Sequence, residues 1–157
     1  MNYSEKIGKI LIEKGWRIST VESCTGGLLS SKLIDISGSS AYITLNLVTY
    51  SNSAKENMLG VVINEDGVVS ESCAYQMAKS LHNLTGSEIC VSTTGIAGPT
   101  GGTDEKPVGL MYSTIFTKNL SKTYKIQLKQ ELSRIEIKNE FVNEVLKNIY
   151  EFLVTEN

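Results

Sequence analysis

The chain has 157 residues, with 15 Lys and Arg against 17 Asp and Glu, a net charge of −2, one His, three Cys and two Pro. That length suits one domain, and 41% hydrophobic with 20% charged residues suits a globular core rather than disorder. The charge balance argues against a nucleic-acid footprint or a basic membrane face, and scattered Cys24, Cys73 and Cys90 with a lone His82 argue against a zinc site or disulfide framework.

The opening Met1-Asn2-Tyr3-Ser4-Glu5-Lys6 has neither the basic nor the apolar region of a signal peptide. No apolar run approaches the roughly 20 residues of a spanning helix, so the expectation is a cytoplasmic chain without a membrane partner. Tyr3, Ile7, Ile10 and Leu11 recur at helical spacing before Gly15, which predicts an amphipathic helix over 3–14. Residues 17–21 read as a strand. The small-residue turn Glu22-Ser23-Cys24-Thr25-Gly26-Gly27 follows, then a helix over 28–36 carrying Leu28, Leu29, Leu33 and Ile36.

From Tyr42 to Tyr50 the residues alternate, which predicts a strand with Ile43, Leu45 and Leu47 on one face and Thr44 and Asn46 on the other. Ser51 and Asn52 are good caps for a short helix over 53–59, closed by Gly60. Ser70 caps a helix whose Ala74, Met77, Ala78 and Leu81 face inward, with His82 as a partly exposed helix residue. A strand over 89–93 leads into the glycine-dense loop 94–103. Strands over 107–117 and 122–128 form a hairpin, and a long helix starts near Ser133 with Ile137, Phe141, Val145, Ile149 and Phe152 as its stripe. The expected architecture is α/β: a three-layer α/β/α sandwich with a mixed central sheet. In such sheets ligands gather at the carboxyl ends of strands, where both small-residue turns lie.

Ser23 stands between a strand and a helix, where free helix N–H groups offer an oxyanion hole beside a hydroxyl nucleophile. The same position suits a plain helix cap. With one histidine in the chain, a lysine is the economical base for a serine nucleophile, provided its pKa is depressed. Lys55, in the first turn of the short helix, is the candidate, against the alternative of a solvated surface lysine. Tyr50 either holds the Ser23 or Lys55 proton or finishes the core. Cys24 is the rival nucleophile. Gly95, Gly98, Gly101 and Gly102, with Thr94 and Thr103, form either a phosphate or sugar cradle, with Lys106 to neutralise charge, or an ordinary mobile loop. The loop has no Walker sequence.

Six strings now stand in one order: Glu22-Ser23-Cys24-Thr25-Gly26-Gly27; Gly38-Ser39-Ser40-Ala41-Tyr42; Val48-Thr49-Tyr50-Ser51-Asn52 with Ala54-Lys55; Val69-Ser70-Glu71; Thr94-Gly95-Ile96-Ala97-Gly98-Pro99 with Gly101-Gly102; and Glu105-Lys106-Pro107-Val108-Gly109. Together they closely resemble the CinA carboxy-terminal domain family, whose stand-alone members are nicotinamide-nucleotide amidases, or NMN deamidases. The resemblance runs from about residue 5 to 150. It implies hydrolysis of the carboxamide of nicotinamide mononucleotide to nicotinate mononucleotide and ammonia, by a Ser/Lys mechanism with no metal and no cofactor.

On matching positions the resemblance makes Ser23 the nucleophile and Lys55 the base, with Tyr50 and Thr94 positioning them or protonating the departing ammonia. Backbone N–H groups from Cys24 through Thr25 and Gly26 to Gly27 would hold the oxyanion. Gly95, Gly98, Gly101 and Gly102, with Lys106 and Arg134, would meet ribose and phosphate. It also implies a homo-oligomer, a dimer or higher. The expectation is a single domain over 1–157, without the molybdopterin-binding-like amino-terminal domain of longer CinA proteins. This sequence departs from the family where Leu45-Asn46-Leu47 replaces a glycine-containing stretch, where Leu132-Ser133-Arg134 replaces Gly-Asp-Arg, and at Lys138. Two rival readings stand beside the first: an amidase acting on a related small amide, and a nucleotide-binding or regulatory module with little catalysis.

Overall fold

The computed structural model describes residues 2–155, so the ends of the expected 1–157 span, Met1, Glu156 and Asn157, lie outside the described residues. Elements follow in chain order: α1 Tyr3–Lys14, β1 Ile18–Glu22, α2 Leu28–Leu33, a 3-10 turn Ser39–Ala41, β2 Ile43–Val48, α3 Asn52–Leu59, α4 Glu71–Thr85, β3 Ile89–Gly95, β4 Leu110–Phe116, β5 Ser121–Gln127 and α5 Arg134–Thr155. The local chemistry explains the helix ends. Asn2, Ser51 and Ser70 each accept an N–H of the first helical turn, from Glu5, Ala54 and Cys73, which satisfies a donor that would otherwise be orphaned. Gly15, Gly60 and Gly86 end the same three helices.

The sheet order is β2-β1-β3-β4-β5. Strand β1 runs parallel to both β2 and β3, whereas β3-β4 and β4-β5 are antiparallel. Each face of this mixed sheet is covered. On one side α1, α2 and α5 bury Ile7, Leu11, Leu29, Leu33, Phe141 and Val145 against Ile18, Val91 and Met111. On the other, α3 and α4 bury Leu59, Met77 and Leu81 against Val21 and Cys90. This is the expected three-layer α/β/α sandwich. Among the described residues no helix is long and apolar enough to cross a membrane.

Two differences from the sequence pattern bear on the site. The alternation predicted Ile43, Leu45 and Leu47 on one face, but Ile43 packs into the first core and Leu45 and Leu47 into the second. The cause is an irregularity in the β1/β2 register, which steps from Ile18↔Ile43 to Thr20↔Asn46. One extra residue on β2 reverses the facing of everything after it. Strand β3 also outruns its predicted end, because Thr94 and Gly95 continue the antiparallel ladder opposite Tyr112 and Met111. The hairpin's first strand starts later than predicted, at Leu110, since the Leu110 N–H donates to the Pro107 carbonyl at 3.1 Å and closes a turn.

Gly95 is required by close approach. A Cβ there would lie 2.8 Å from the Leu110 carbonyl oxygen and 2.8 Å from Met111 Cβ. Because these are paired backbone and a fully buried side chain, neither can yield cheaply. Gly95→Ala is expected to lower stability by about 1–3 kcal/mol, the usual cost of overpacking, measured by urea unfolding with an unchanged m-value.

Candidate active site

Ser23 follows directly on β1, and its backbone N–H still donates to the Thr93 carbonyl at 3.1 Å, so the sheet fixes its position. The turn beyond it is closed by the preceding residue. Glu22 is fully buried. Its Oε1 accepts from Thr25 Oγ1 at 2.6 Å, Gly27 N at 3.2 Å and Leu29 N at 2.9 Å, and its Oε2 from Ser30 N at 3.0 Å and Ser30 Oγ at 2.5 Å. Gly27 has φ 100, a conformation costly for any residue with a Cβ. The expectation that Gly27 N–H and the start of α2 form the oxyanion hole therefore needs correcting. Those donors are already taken by the Glu22 carboxylate, and the Gly26 N–H by the Ser23 carbonyl at 3.1 Å.

Lys55 comes to the same point from the other side of the sheet. Thr49 extends the β1/β2 ladder through its N–H to the Glu22 carbonyl at 2.9 Å. Ser51 caps α3, and one turn later Lys55 turns inward, 1% exposed. Its Nζ lies 2.9 Å from Ser23 Oγ, 2.8 Å from the Thr49 carbonyl and 3.0 Å from the Tyr50 carbonyl. Burial lowers the amine's pKa from its ordinary value, opposed in part by the thiol positions Cys73 and Cys24. Among the described residues no carboxylate is paired with Lys55.

Cys24 is a poor rival to Ser23. Burial pushes its thiol up to about 12, with a Thr93 hydrogen bond opposing and the Glu22 charge adding to the rise, so it stays protonated at neutral pH. His82 lies elsewhere, its Nδ1 2.9 Å from the Ser87 carbonyl and its ring against Phe116 at 5.1 Å. Among the described residues no group of three or more His, Cys, Asp or Glu is placed to hold a metal ion.

The pair opens into a cavity of about 240 Å³. Of the residues singled out in the sequence, Ser23, Cys24, Tyr50, Lys55, Thr94, Gly95, Gly98, Gly101 and Arg134 line it. Thr25, Gly26, Gly27, Gly102 and Lys106 do not. Thr25 is buried beneath the turn, its Oγ1 2.8 Å from Thr93 Oγ1. Gly102 faces a separate cavity with Asp104 and Gln130. The Lys106 ammonium donates to the Asp66 carbonyl, so this cation braces the 61–70 segment and is not offered to a phosphate in the cavity.

Tyr50 and Thr94 reach the cavity in ways the motifs did not reveal. Tyr50 gives Lys55 its main-chain carbonyl, while its half-exposed side chain accepts a hydrogen bond at the hydroxyl from Arg134 Nη2 at 3.1 Å. Thr94 Oγ1 donates to the Val68 carbonyl at 2.8 Å, holding Val68 and Val69 as one wall. Arg134, the first residue of α5, also donates from Nη1 to the Gly98 carbonyl at 2.6 Å. A capping box sets it there, with Ser133 N–H donating to Glu136 Oε1 at 3.1 Å and Glu136 N–H to Ser133 Oγ at 3.2 Å. The departure at Ser133 thus keeps a helix start that presents Arg134. Asn46, the other departure, is outside the cavity, its Oδ1 accepting from Thr20 Oγ1 at 2.8 Å.

Sequence reasoning missed Glu22, Thr93, the Thr49 carbonyl, Asn52 and the Val68-Val69 wall. Glu22 had a readable signal: a carboxylate at a strand end, five to eight residues before the N–H groups of a helix start.

The CinA C-terminal domain model matches residues 1–153. A competence-damage inducible protein of Clostridium perfringens is 45% identical over 134 residues, covering 83% of this chain and 32% of that protein. One of Clostridium acetobutylicum is 46% identical over 143 residues, covering 89% and 34%. The chain therefore spans about a third of the length of these curated relatives. Among solved structures, a CinA superfamily protein of Klebsiella pneumoniae superposes with TM-score 0.89 at 28% identity, covering 97% of this chain and 96% of that one. The competence/damage inducible protein CihA of Agrobacterium tumefaciens gives 0.86 at 35% identity, covering 95% and 94%.

All three cysteines are buried, and burial raises each thiol's pKa. The native protein at pH 7.5 is therefore expected to react slowly with a thiol-specific disulfide reagent, releasing well under one equivalent in the time that urea-unfolded chain releases all three. Absorbance of the released thiolate follows both.

Proposed function

The chain belongs to the CinA C-terminal domain family, and on that premise we propose that it is a serine–lysine amidohydrolase acting on nicotinamide mononucleotide, yielding nicotinate mononucleotide and ammonia. The observation that carries this reading is the buried contact of Lys55 Nζ with Ser23 Oγ at 2.9 Å. The surroundings favour the neutral amine. A neutral amine has two N–H donors and one lone pair: the Thr49 and Tyr50 carbonyls accept the two donors, and the lone pair is left for the Ser23 proton.

In the proposed reaction the Ser23 proton passes to Lys55 as Oγ attacks the amide carbon. The resulting ammonium returns that proton to the departing nitrogen, ammonia leaves, and water attacks the Ser23 ester with Lys55 again as base. The amide of Cys24, a residue that lines the cavity and whose N–H neither Glu22 nor a backbone carbonyl takes among the described residues, is the donor available to the oxyanion. Val68, Val69, Ile96 and Ala97 give the pyridine ring an apolar wall. Arg134 uses one N–H on Gly98 and one on Tyr50, leaving others of its five for the phosphate.

Ser23→Ala and Lys55→Met are each expected to cut ammonia release from nicotinamide mononucleotide by at least about 10³-fold. Activity near wild type in either variant overturns the dyad. Nicotinamide and nicotinamide riboside, which lack the phosphate, are assayed alongside, and equal turnover of all three removes Arg134 from substrate recognition.

The base works unprotonated, so kcat/KM is expected to fall tenfold per pH unit below the pKa of Lys55, which burial places below the ordinary 10.5. Stability carries the matching sign. Between that lowered pKa and 10.5 the unfolded chain binds the proton that the folded one refuses, so stability falls as pH falls through this window. Lys55→Met is expected to abolish that slope in pH-dependent urea unfolding.

A further inference from the structure

We infer that Glu22 is the positioning residue of the nucleophile, an inference that rests on the Ser23–Lys55 reading above. Its carboxylate is fully buried with no cation beside it among the described residues. It draws instead on donors from Thr25, Gly27, Leu29 and Ser30. An ionised group out of water holds such donors tightly, because releasing any of them leaves charge uncompensated. All the donors belong to the turn that carries Ser23 or to the helix that follows it. Ser23 is thus clamped between the sheet, through Thr93, and a carboxylate ring one residue away.

The clamp continues sideways. Ser30 Oγ lies 2.9 Å from Thr20 Oγ1, which donates to Asn46 Oδ1 on edge strand β2. The register step between β1 and β2 brings Asn46 level with Thr20. The polar residue that replaces the family's usual stretch therefore buttresses Glu22 from behind and does not touch the cavity. Thr25 Oγ1 meets Thr93 Oγ1 at 2.8 Å and ties the other side. A carboxamide at position 22 keeps the size but brings an NH2 group against N–H and O–H donors. The turn then relaxes and Ser23 Oγ leaves the Lys55 lone pair.

The test is Glu22→Gln in the full chain, read by amide turnover and by a serine-directed fluorophosphonate, which bonds Ser23 Oγ to phosphorus with loss of fluoride and passes the hydroxyl proton to Lys55. Expected is a fall of roughly 10²-fold in kcat and in the labelling rate, with KM within about twofold and the acid limb of the pH profile unmoved, since Lys55 keeps its carbonyls. Labelling should still reach one phosphonate per chain. A merely structural role gives fewer than one label per chain at the wild-type rate, and that result, or a wild-type kcat, or a displaced acid limb, overturns the inference.

If Glu22→Gln does not fold, Ser30→Ala decides. It removes the hydroxyl donor to Oε2, leaving the backbone N–H of residue 30 and the carboxylate in place, and a labelling rate about tenfold lower supports the inference while an unchanged rate overturns it. Wild-type labelling without ammonia from any amide overturns the amidase reading and leaves the rate comparison to judge Glu22. Absence of labelling in the wild type overturns both.

Discussion

An amine taken out of water, with no carboxylate beside it among the described residues, is the constraint around which this fold is arranged. Lys55 is as buried as the core leucines, and its Nζ is met by two carbonyls and one hydroxyl, all neutral. Dipoles solvate a buried charge only in part, so the neutral form gains. A carboxylate in the same place would have kept the amine charged and removed its lone pair. The carbonyls come from Thr49 and Tyr50, residues just past β2, and they can point at Lys55 because Ser51 starts α3 immediately afterwards. Strand end, cap and helix are one device for presenting an amine to Ser23.

A second buried ionisable group, Glu22, sits next to Ser23 in sequence, yet carboxylate and amine are not paired with each other. Each has its own set of partners: hydroxyls and amides for the carboxylate, carbonyls for the amine. Pairing them would make the ion pair that burial usually demands, but it would also fix the proton on Lys55. The separation follows from strand parity. Glu22 shares the face of Ile18 and Thr20, toward α2, while Lys55 packs near Cys73 of α4 on the opposite face. Ser23, at the strand's end, is where the two sides meet.

Much of this was legible in the sequence, and the limits have physical reasons. Caps at Ser51 and Ser70 and stops at Gly15 and Gly60 are local chemistry, visible residue by residue. The Ser23 and Lys55 candidates followed from strand ends and a single histidine. Facing along β2 was not legible, because one extra residue in the pairing moves Leu45 and Leu47 to the other core without leaving a mark on the alternation. Lys106 looked available beside a glycine loop, and what removed it is a long-range contact to Asp66. The helix start at Gly27 looked like an open anion site for a similar reason. Periodicity shows which groups exist, but competition between partners is settled only in three dimensions.

The cavity's two ends are held by different elements of the same layer. Ser23 hangs on β1 and α2, and Arg134 begins α5. Because α2 and α5 share one core, with Leu29 and Leu33 packed among Phe141, Val142 and Val145, the span between Ser23 and the Arg134 guanidinium is set by close-packed side chains that resist deformation. Ties from Arg134 to Gly98 and Tyr50 fix the far end further. A ligand that uses both ends must carry its amide and its anion at one separation. Under the proposed function, discrimination by length needs no surplus of basic residues, so a net charge of −2 is compatible with an anionic substrate: one arginine, placed by a capping box, would do what a basic surface would do less selectively.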